Sequence, residues 1–366
     1  MSTAVMRPVR RRPGHALARG LALLAAASLL LTACNRTGQE SASPEQKATG
    51  QGLVIGWSQR GIAGSDWYKT LVAGGEAEAA EIGAQIQILD ANRETTRQNE
   101  DVQTLISRGV DVVIMNANDP LGVASSVKAL KDAGIPLVTV NSNLDPSLVP
   151  DMYCYVAEDQ VATGALAGEA IAQDAIAKWG TSGEIKLVGI GGLPGDVISE
   201  LRYQGFMQGY DSVMAQHPEI TTTELPFKYG EWLPDQALTP IRDVATANPD
   251  LKIVYSESDV MQAGIQQGLQ QAGLWGPGIL EASYDGGMNA VKEMLDNPDG
   301  PLQATASNQP WDQGALAVQM AVAAFNGDPS ACPDKTEYVE TTVVTPENAA
   351  DYYKPEDTYV RAQENS

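Results

Sequence analysis

From Leu53 onward the chain alternates short runs rich in Val and Ile with longer stretches of helical period. The runs Leu53–Trp57, Gln85–Leu89, Val110–Met115 and Ile135–Val140 read as strands, and Asp66–Ile82 and Thr96–Ser107 between them read as helices. Runs apolar on both faces suit parallel strands covered by helices on each side, with crossovers long enough to carry those helices. A second series repeats the rhythm: strands near Ile185–Ile190, Thr222–Phe227, Lys252–Tyr255 and Ile279–Ser283, and helices around Gln160–Lys178, Val197–Ala215 and Val260–Ala272. Stop signals agree, since Gly109 follows Arg108 and Ala133-Gly134-Ile135-Pro136 closes another helix before a strand. The expected fold class is α/β, with two doubly wound parallel-sheet lobes. The 366 residues exceed what one core usually serves, which also favours two lobes.

Upstream of this pattern, Arg7, Arg10, Arg11, Arg12 and Arg19 lead into an apolar run from Leu21 to Leu31. That run is about half of the roughly 20 residues a membrane span needs, so it reads as the core of a secretory signal. Leu31-Thr32-Ala33-Cys34 resembles a bacterial lipobox and predicts cleavage before Cys34, which would carry the lipid anchor. Residues 1–33 are then a lipoprotein signal, and residues 34–52, polar and without hydrophobic period, a flexible tether. Export with a lipid anchor puts the protein at the outer face of the cell membrane, with that anchor its sole membrane attachment. Removing the signal leaves 19 basic against 46 acidic residues, a formal charge of −27. Such a surface repels nucleic acid, which is not expected as a partner.

Cys154 and Cys332 remain besides the anchor. In an oxidising compartment an even pair points to a disulfide, the other possibility being two separately buried thiols. His217 is the one histidine after the signal; it precedes Pro218 where a helix should end, and its charge suits a helix C-terminus. With one histidine and no Cys-x-x-Cys, no zinc site of familiar spacing can be written, and neither a metal nor a cofactor is expected. Gly189–Gly195 follows a strand, but no Gly-Lys-Ser/Thr completes a phosphate loop, so it reads as a tight strand-to-helix turn.

Several strings, taken together, resemble the type I periplasmic sugar-binding proteins that serve ABC transporters, a group containing ribose- and galactofuranose-binding proteins. These are Ile55-Gly56-Trp57-Ser58-Gln59, Gly109 to Asn116 and Ala133 to Val140 in the first series, and Ser256-Glu257-Ser258-Asp259-Val260-Met261 and Tyr284-Asp285-Gly286-Gly287 in the second. The resemblance implies two lobes joined by a three-segment hinge, with crossings near Ala157, Asn308 and Thr341. Residues 53–157 and 309–341 would form the first lobe, and 158–308 and 342–366 the second. Cys154 and Cys332 then share a lobe, which favours their disulfide. The same fold serves repressors, which carry a DNA-reading headpiece where this chain has an export signal.

Ligands of open parallel sheets collect beyond the carboxyl ends of the strands, and two facing lobes place those ends across one cleft. The candidate ligand-binding residues are therefore Ser58, Gln59, Asp66, Trp67, Tyr68, Asn141 and Ser142 in the first lobe. In the second they are Ser199, Glu200, Trp232, Ser258, Asp259 and Asp285, with Asn308 and Trp311 at or beside a crossing. All fall in ligand-contacting neighbourhoods of the resembled family. The residue types suit a polyhydroxylated molecule: Trp67, Tyr68, Trp232 and Trp311 offer aromatic faces for C–H patches, and Asp285 can accept two hydroxyl hydrogens. Each aromatic could instead belong to the core, and Asp285 could merely cap its turn.

Asn141-Ser142 stands where many pentose and hexose binders carry Asp-Arg, and Glu200 lies nearest the family's second-lobe arginine position. Both differences remove cation donors, so a polyol, a modified sugar or an aminated ligand is admissible. The resemblance implies a monomeric, non-enzymatic receptor that closes by hinge motion on a sugar or polyol and delivers it to an ABC transporter permease. The alternatives are a receptor for a sensor kinase or chemoreceptor, a glycosidase pairing Asp285 with Glu200 or Asp259, and a surface protein without ligand.

Overall fold

A computed structural model describes residues 49–362. The signal sequence and Cys34 lie outside the described residues. The chain opens with β1 (Val54–Gln59), α1 (Asp66–Glu81), β2 (Gln85–Asp90), α2 (Thr95–Ser107), β3 (Val112–Met115), α3 (Ala124–Ala133), β4 (Leu137–Val140) and β5 (Cys154–Ala157). It continues through α4 (Gln160–Trp179), β6 (Gly183–Gly191), α5 (Val197–Met214), β7 (Ile220–Glu224), β8 (Lys228–Tyr229), α6 (Pro234–Ala247) and β9 (Leu251–Ser256). Then come α7 (Gln262–Gln271), β10 (Leu280–Asp285), α8 (Met288–Asp296), β11 (Leu302–Ser307), α9 (Pro310–Asn326), β12 (Thr336–Tyr338), β13 (Thr342–Val344) and α10 (Ala349–Tyr352).

The strands form two sheets. One runs β12-β5-β4-β3-β1-β2 with every pair parallel; the other runs β13-β11-β10-β9-β6-β7, with β8 also paired to β6 and only β13 antiparallel. Helices cover both faces, so β3, β4 and β10 are buried along their whole lengths, and β3 and β4 accordingly read as apolar runs and not alternations. The doubly wound α/β architecture expected of the sequence is the one observed.

Close helix contacts rest on small residues. A methyl group on Gly168 of α4 would lie 2.0 Å from the carbonyl oxygen of Phe206 in α5, and one on Gly314 of α9 would lie 1.9 Å from that of Leu71 in α1. Without a Cβ, each pair of helices packs backbone to backbone.

Two local expectations are refined. The strand expected over Thr222–Phe227 ends at Glu224, and the chain resumes pairing with β6 only at Lys228. Pro226 has no N–H to give a ladder. The helix expected from Val260 begins as a 3₁₀ turn over Asp259–Met261 before α7.

The chain passes from the first sheet to the second between β5 and α4, back between β11 and α9, and over again between β12 and β13. The C-terminal segment adds another link. Tyr359 bridges Gly287, and Val360 N donates to Gly286 O at 2.8 Å, on the second lobe. Arg361 then stacks on Trp311, and Ala362 N donates to Asp312 Oδ2 at 3.1 Å, both at the start of α9 on the first lobe. The end of the described chain thus touches both the β10 turn and the start of α9.

Cys154 in β5 and Cys332 after α9 form a disulfide with Cα atoms 5.9 Å apart and 178 positions between them in sequence. A crosslink that closes so long a loop removes much of the unfolded chain's freedom, worth about 2–5 kcal/mol. Cys332→Ser should lower the unfolding midpoint accordingly, and denatured, unreduced protein begun after Cys34 should titrate with no free thiol.

Candidate functional site

The strand β10 ends at Asp285, whose φ of 109° is unusual for any residue but glycine. Among the described residues eight non-glycine positions have positive φ, and all of them but Lys335 lie at or just beyond the carboxyl ends of strands, Asn141, Trp232, Asp285 and Gln309 among them. Such backbone costs about 1–3 kcal/mol per residue and persists only where its surroundings hold it.

At Asp285 the holding groups are explicit. Oδ1 accepts from Arg202 Nη1 at 3.1 Å and from Asn308 Nδ2 at 3.0 Å, and Oδ2 accepts from Ser258 Oγ at 2.5 Å. Arg202 reaches this point from the first turns of α5. It also donates through Nε to Gln160 Oε1 at 2.9 Å and through Nη1 to the carbonyl of Glu257 at 2.7 Å. Its guanidinium lies 3.9 Å from the ring centre of Tyr284 and 5.6 Å from that of Trp232.

A second carboxylate shares that guanidinium. Glu158, 1% exposed at the crossing between β5 and α4, has Oε1 at 3.6 Å from Arg202 Nη2. It accepts from Gln160 Nε2 at 2.5 Å on one oxygen and from Gln313 Nε2 of α9 at 2.7 Å on the other. Burial pushes the carboxyls of Glu158 and Asp285 up from their usual range, and Arg202 opposes the rise. Burial works against the charge on Arg202 as well, but Asp285, Tyr284 and Glu158 together hold it above its ordinary value.

From the first lobe, Trp67 Nε1 donates to Asn308 Oδ1 at 3.0 Å, so Asn308 joins that indole to Asp285. Tyr68 meets Trp67 edge to face at 5.5 Å and lies under Arg60 at 5.9 Å, and Arg60 Nη1 donates to Ser142 Oγ at 3.1 Å. Gln59 is held in place, accepting from Trp57 Nε1 and donating to the carbonyl of Gly61. The hydroxyl of Ser58, both side-chain polar atoms of Asn116 and Oε1 of Gln309 are buried without a hydrogen-bond partner. These groups, with Asn141, stand at or just beyond strand ends.

The structure therefore brings Trp67, Asp285, Ser258 and Asn308 into one connected network, with Trp232 over Arg202 and with Tyr68, Asn141 and Ser142 across from it. It places others elsewhere. Asp66 is exposed and pairs with Lys69 at 2.8 Å, as a first-turn acid on a helix does. Glu200 is exposed and lines a separate cavity on the second lobe, because it lies two positions from Arg202 and points off the opposite side of the helix. Asp259 accepts from Thr305 Oγ1 at 2.9 Å and from Gly287 N at 2.6 Å, supporting the Asp285 turn from behind. The face of Trp311 is covered by Arg361, whose guanidinium lies 3.6 Å from the ring centre. Glu200 thus points away from Asp285, and Asp259 is taken up by Thr305 and Gly287.

The loss of cation donors inferred from Asn141-Ser142 and Glu200 is also corrected. Arg202 supplies a guanidinium in the second lobe and Arg60 one beside Ser142 in the first. The sequence reading missed Arg202, Glu158, Gln160, Gln313 and Asn116. Arg202 had a visible signal in Leu201-Arg202-Tyr203, a lone basic residue within the first turns of a largely apolar helix. The glutamines had none.

Comparison with known proteins agrees with this architecture. The sequence profile of the periplasmic binding protein domain matches residues 56–329. The chain is 27% identical over 299 residues to the ribose import binding protein of Bacillus subtilis, across 82% of this chain and 90% of that one. It is 28% identical over 277 residues to the xylitol-binding protein of Mycolicibacterium smegmatis, across 74% and 72% of the two chains. The crystal structure of an ABC transporter solute binding protein from Mycobacterium smegmatis with bound glycerol superimposes with a TM-score of 0.70 at 32% identity, covering 85% of this chain and 100% of that one. The chain belongs to the periplasmic binding protein family, as a solute-binding protein and not an enzyme. The family is extracytoplasmic, and among the described residues no helix is long and apolar enough to cross a membrane.

Two predictions follow from the charges. Arg202→Met leaves Asp285 and Glu158 buried without their cation, which should cost about 3–5 kcal/mol in urea unfolding of the ligand-free protein. The second concerns Glu257, whose Oε2 accepts from Gly192 N at 3.1 Å and from Ser199 Oγ. Burial raises Glu257 from 4.5 to about 8, and burial likewise raises Asp259 from 3.8 to about 7. A carboxyl raised in the folded state holds its proton there, so its stabilisation is complete below the unfolded value and is lost as pH rises through the folded one. Unfolding free energy should therefore fall between about pH 4 and pH 8, and Glu257→Gln should flatten the upper part of that fall in a urea series across pH.

Proposed function

We propose that the protein is a lipid-anchored, monomeric receptor that captures a sugar or sugar-like polyol between its lobes and delivers it to an ABC transporter permease. The observation that carries the reading is the strained Asp285 carboxylate, held at the cleft by Arg202, Ser258 and Asn308. A charged acceptor fixed in this way makes short, strong bonds to hydroxyl donors, and the guanidinium beside it serves hydroxyl oxygens. Trp67 and Trp232 supply the apolar faces that a ring or carbon chain needs. Ligand held from both lobes favours the closed arrangement, since only there does it meet both sets of groups.

The relatives named for ribose import and xylitol binding, and the solved relative holding glycerol, support a polyhydroxylated ligand. The anchor is supported by the arginine-led apolar run ending at Leu31-Thr32-Ala33-Cys34. In this reading 53–157 with 309–341 make one lobe and 158–308 with the segment from 342 the other, the last described residues returning across the cleft.

A thermal-shift panel of pentoses, hexoses, furanoses, linear polyols and inositols on protein begun after Cys34 tests the reading. A ligand at 100 times its dissociation constant adds about 2.7 kcal/mol of stability, and Asp285→Ala should abolish the shift. Silence across the panel, or an undiminished shift in Asp285→Ala, would remove the assignment.

A further inference from the structure

We propose that residues 357–362 form a releasable strap across the second crossing, fixed at one end to the β10 turn and clipped at the other to the start of α9, which restrains the hinge. The fixed end is built like core. Met288 N donates to the carbonyl of Thr358 at 2.8 Å, Tyr359 bridges Gly287, and Val360 N donates to the carbonyl of Gly286 at 2.8 Å. Val360 is buried and packs with Met288, Val291, Leu302 and Val344. Backbone bonds shielded by apolar packing open only when the surrounding structure does.

The clipped end differs in kind. Arg361 is partly exposed, pairs with Asp357 and rests its guanidinium 3.6 Å from the ring centre of Trp311. Ala362 is exposed and donates its N–H to Asp312 Oδ2 at 3.1 Å. A cation over one ring and a single bond to a carboxylate, both near solvent, make a modest and reversible contact.

The two anchors belong to different bodies. A methyl group on Gly74 of α1 would lie 2.1 Å from the carbonyl oxygen of Trp311, so the first turn of α9 is seated backbone to backbone on α1. A methyl group on Gly286 would lie 2.7 Å from Cβ of Ser307, so the β10 turn is seated on the end of β11. Between Ser307 and Pro310 the crossing consists of Asn308 and Gln309 alone, and Gln309 has a φ of 49°. A bend there changes the separation of Gly286 from Asp312. The strap covers that separation with Val360, Arg361 and Ala362, and three residues reach at most about 10 Å. A sizeable bend therefore parts Arg361 and Ala362 from α9 while Val360 stays in place.

Spin labels at Lys128→Cys in α3 and Asp243→Cys in α6, both exposed positions, report the separation of the lobes by pulsed electron spin resonance. The protein is begun after Cys34 and studied without ligand, and Cys154 and Cys332 are closed as a disulfide. Arg361→Ala combined with Ala362→Pro removes both contacts to α9 and leaves Val360 seated. It should broaden the distance distribution with the cooperative urea transition retained, and Asp312→Ala, made from the other side of the contact, should broaden it as well. A distribution unchanged in both variants, or a broadening that appears only with loss of the cooperative transition, would overturn the proposal. Because no ligand enters the measurement, that failure would leave the receptor reading standing.

Discussion

One buried guanidinium organises this molecule. Arg202 lies 6% exposed between Asp285, the carbonyl of Glu257, Gln160 and Glu158, and it ties the ends of β9 and β10 and the start of α4 to the crossing that carries Glu158. Burying such a charge is costly unless every donor finds an acceptor. Here Nε and Nη1 are hydrogen-bonded and Nη2 lies 3.6 Å from Glu158, and the acceptors in turn are oriented by Ser258, Asn308 and Gln313. The backbone of Asp285, with its φ of 109°, is held within this network.

The network also explains why the hinge is more than a set of peptide crossings. Glu158 lies on the first crossing, and its two oxygens are taken by side chains from different lobes, Gln160 of α4 and Gln313 of α9. Asn308 lies on the second crossing and divides its amide between Trp67 and Asp285. Thr341 on the third shares a bond with Thr163 at 3.0 Å. Each crossing therefore carries a polar contact that reports the relative placement of the lobes, and the C-terminal segment adds Arg361 on Trp311.

Much of the fold was legible because several of the parallel strands, buried on both faces, are continuous apolar runs, as β3 and β4 are, and the helices between them must be long enough to cross over. The elements that escaped notice lacked that signal. β11, Leu302–Ser307, is made of small residues whose burial comes from neighbours, and β5 is four residues long. The candidate site was half legible. Strand ends are found by counting, so Trp67, Ser258, Asp285 and Asn308 could be named. Direction off a helix requires its phase against the sheet: Glu200 and Arg202 are two positions apart, yet one is exposed and the other buried at the centre of the network.

The amino-acid sequence by itself determined the class of fold, the pairing rhythm of the two sheets and the polar character of the cleft, because hydrophobic periodicity and turn residues act locally along the chain. Only the tertiary structure decided which polar groups share partners. Glu158 and Arg202 are 44 positions apart and Trp67 and Asn308 are 241, and no local rule chooses among the many acids and amides at such distances. The choice is made when two lobes exclude water from one small volume. There an unpaired group costs far more than it would at the surface, so which groups meet depends on the packing of the whole site.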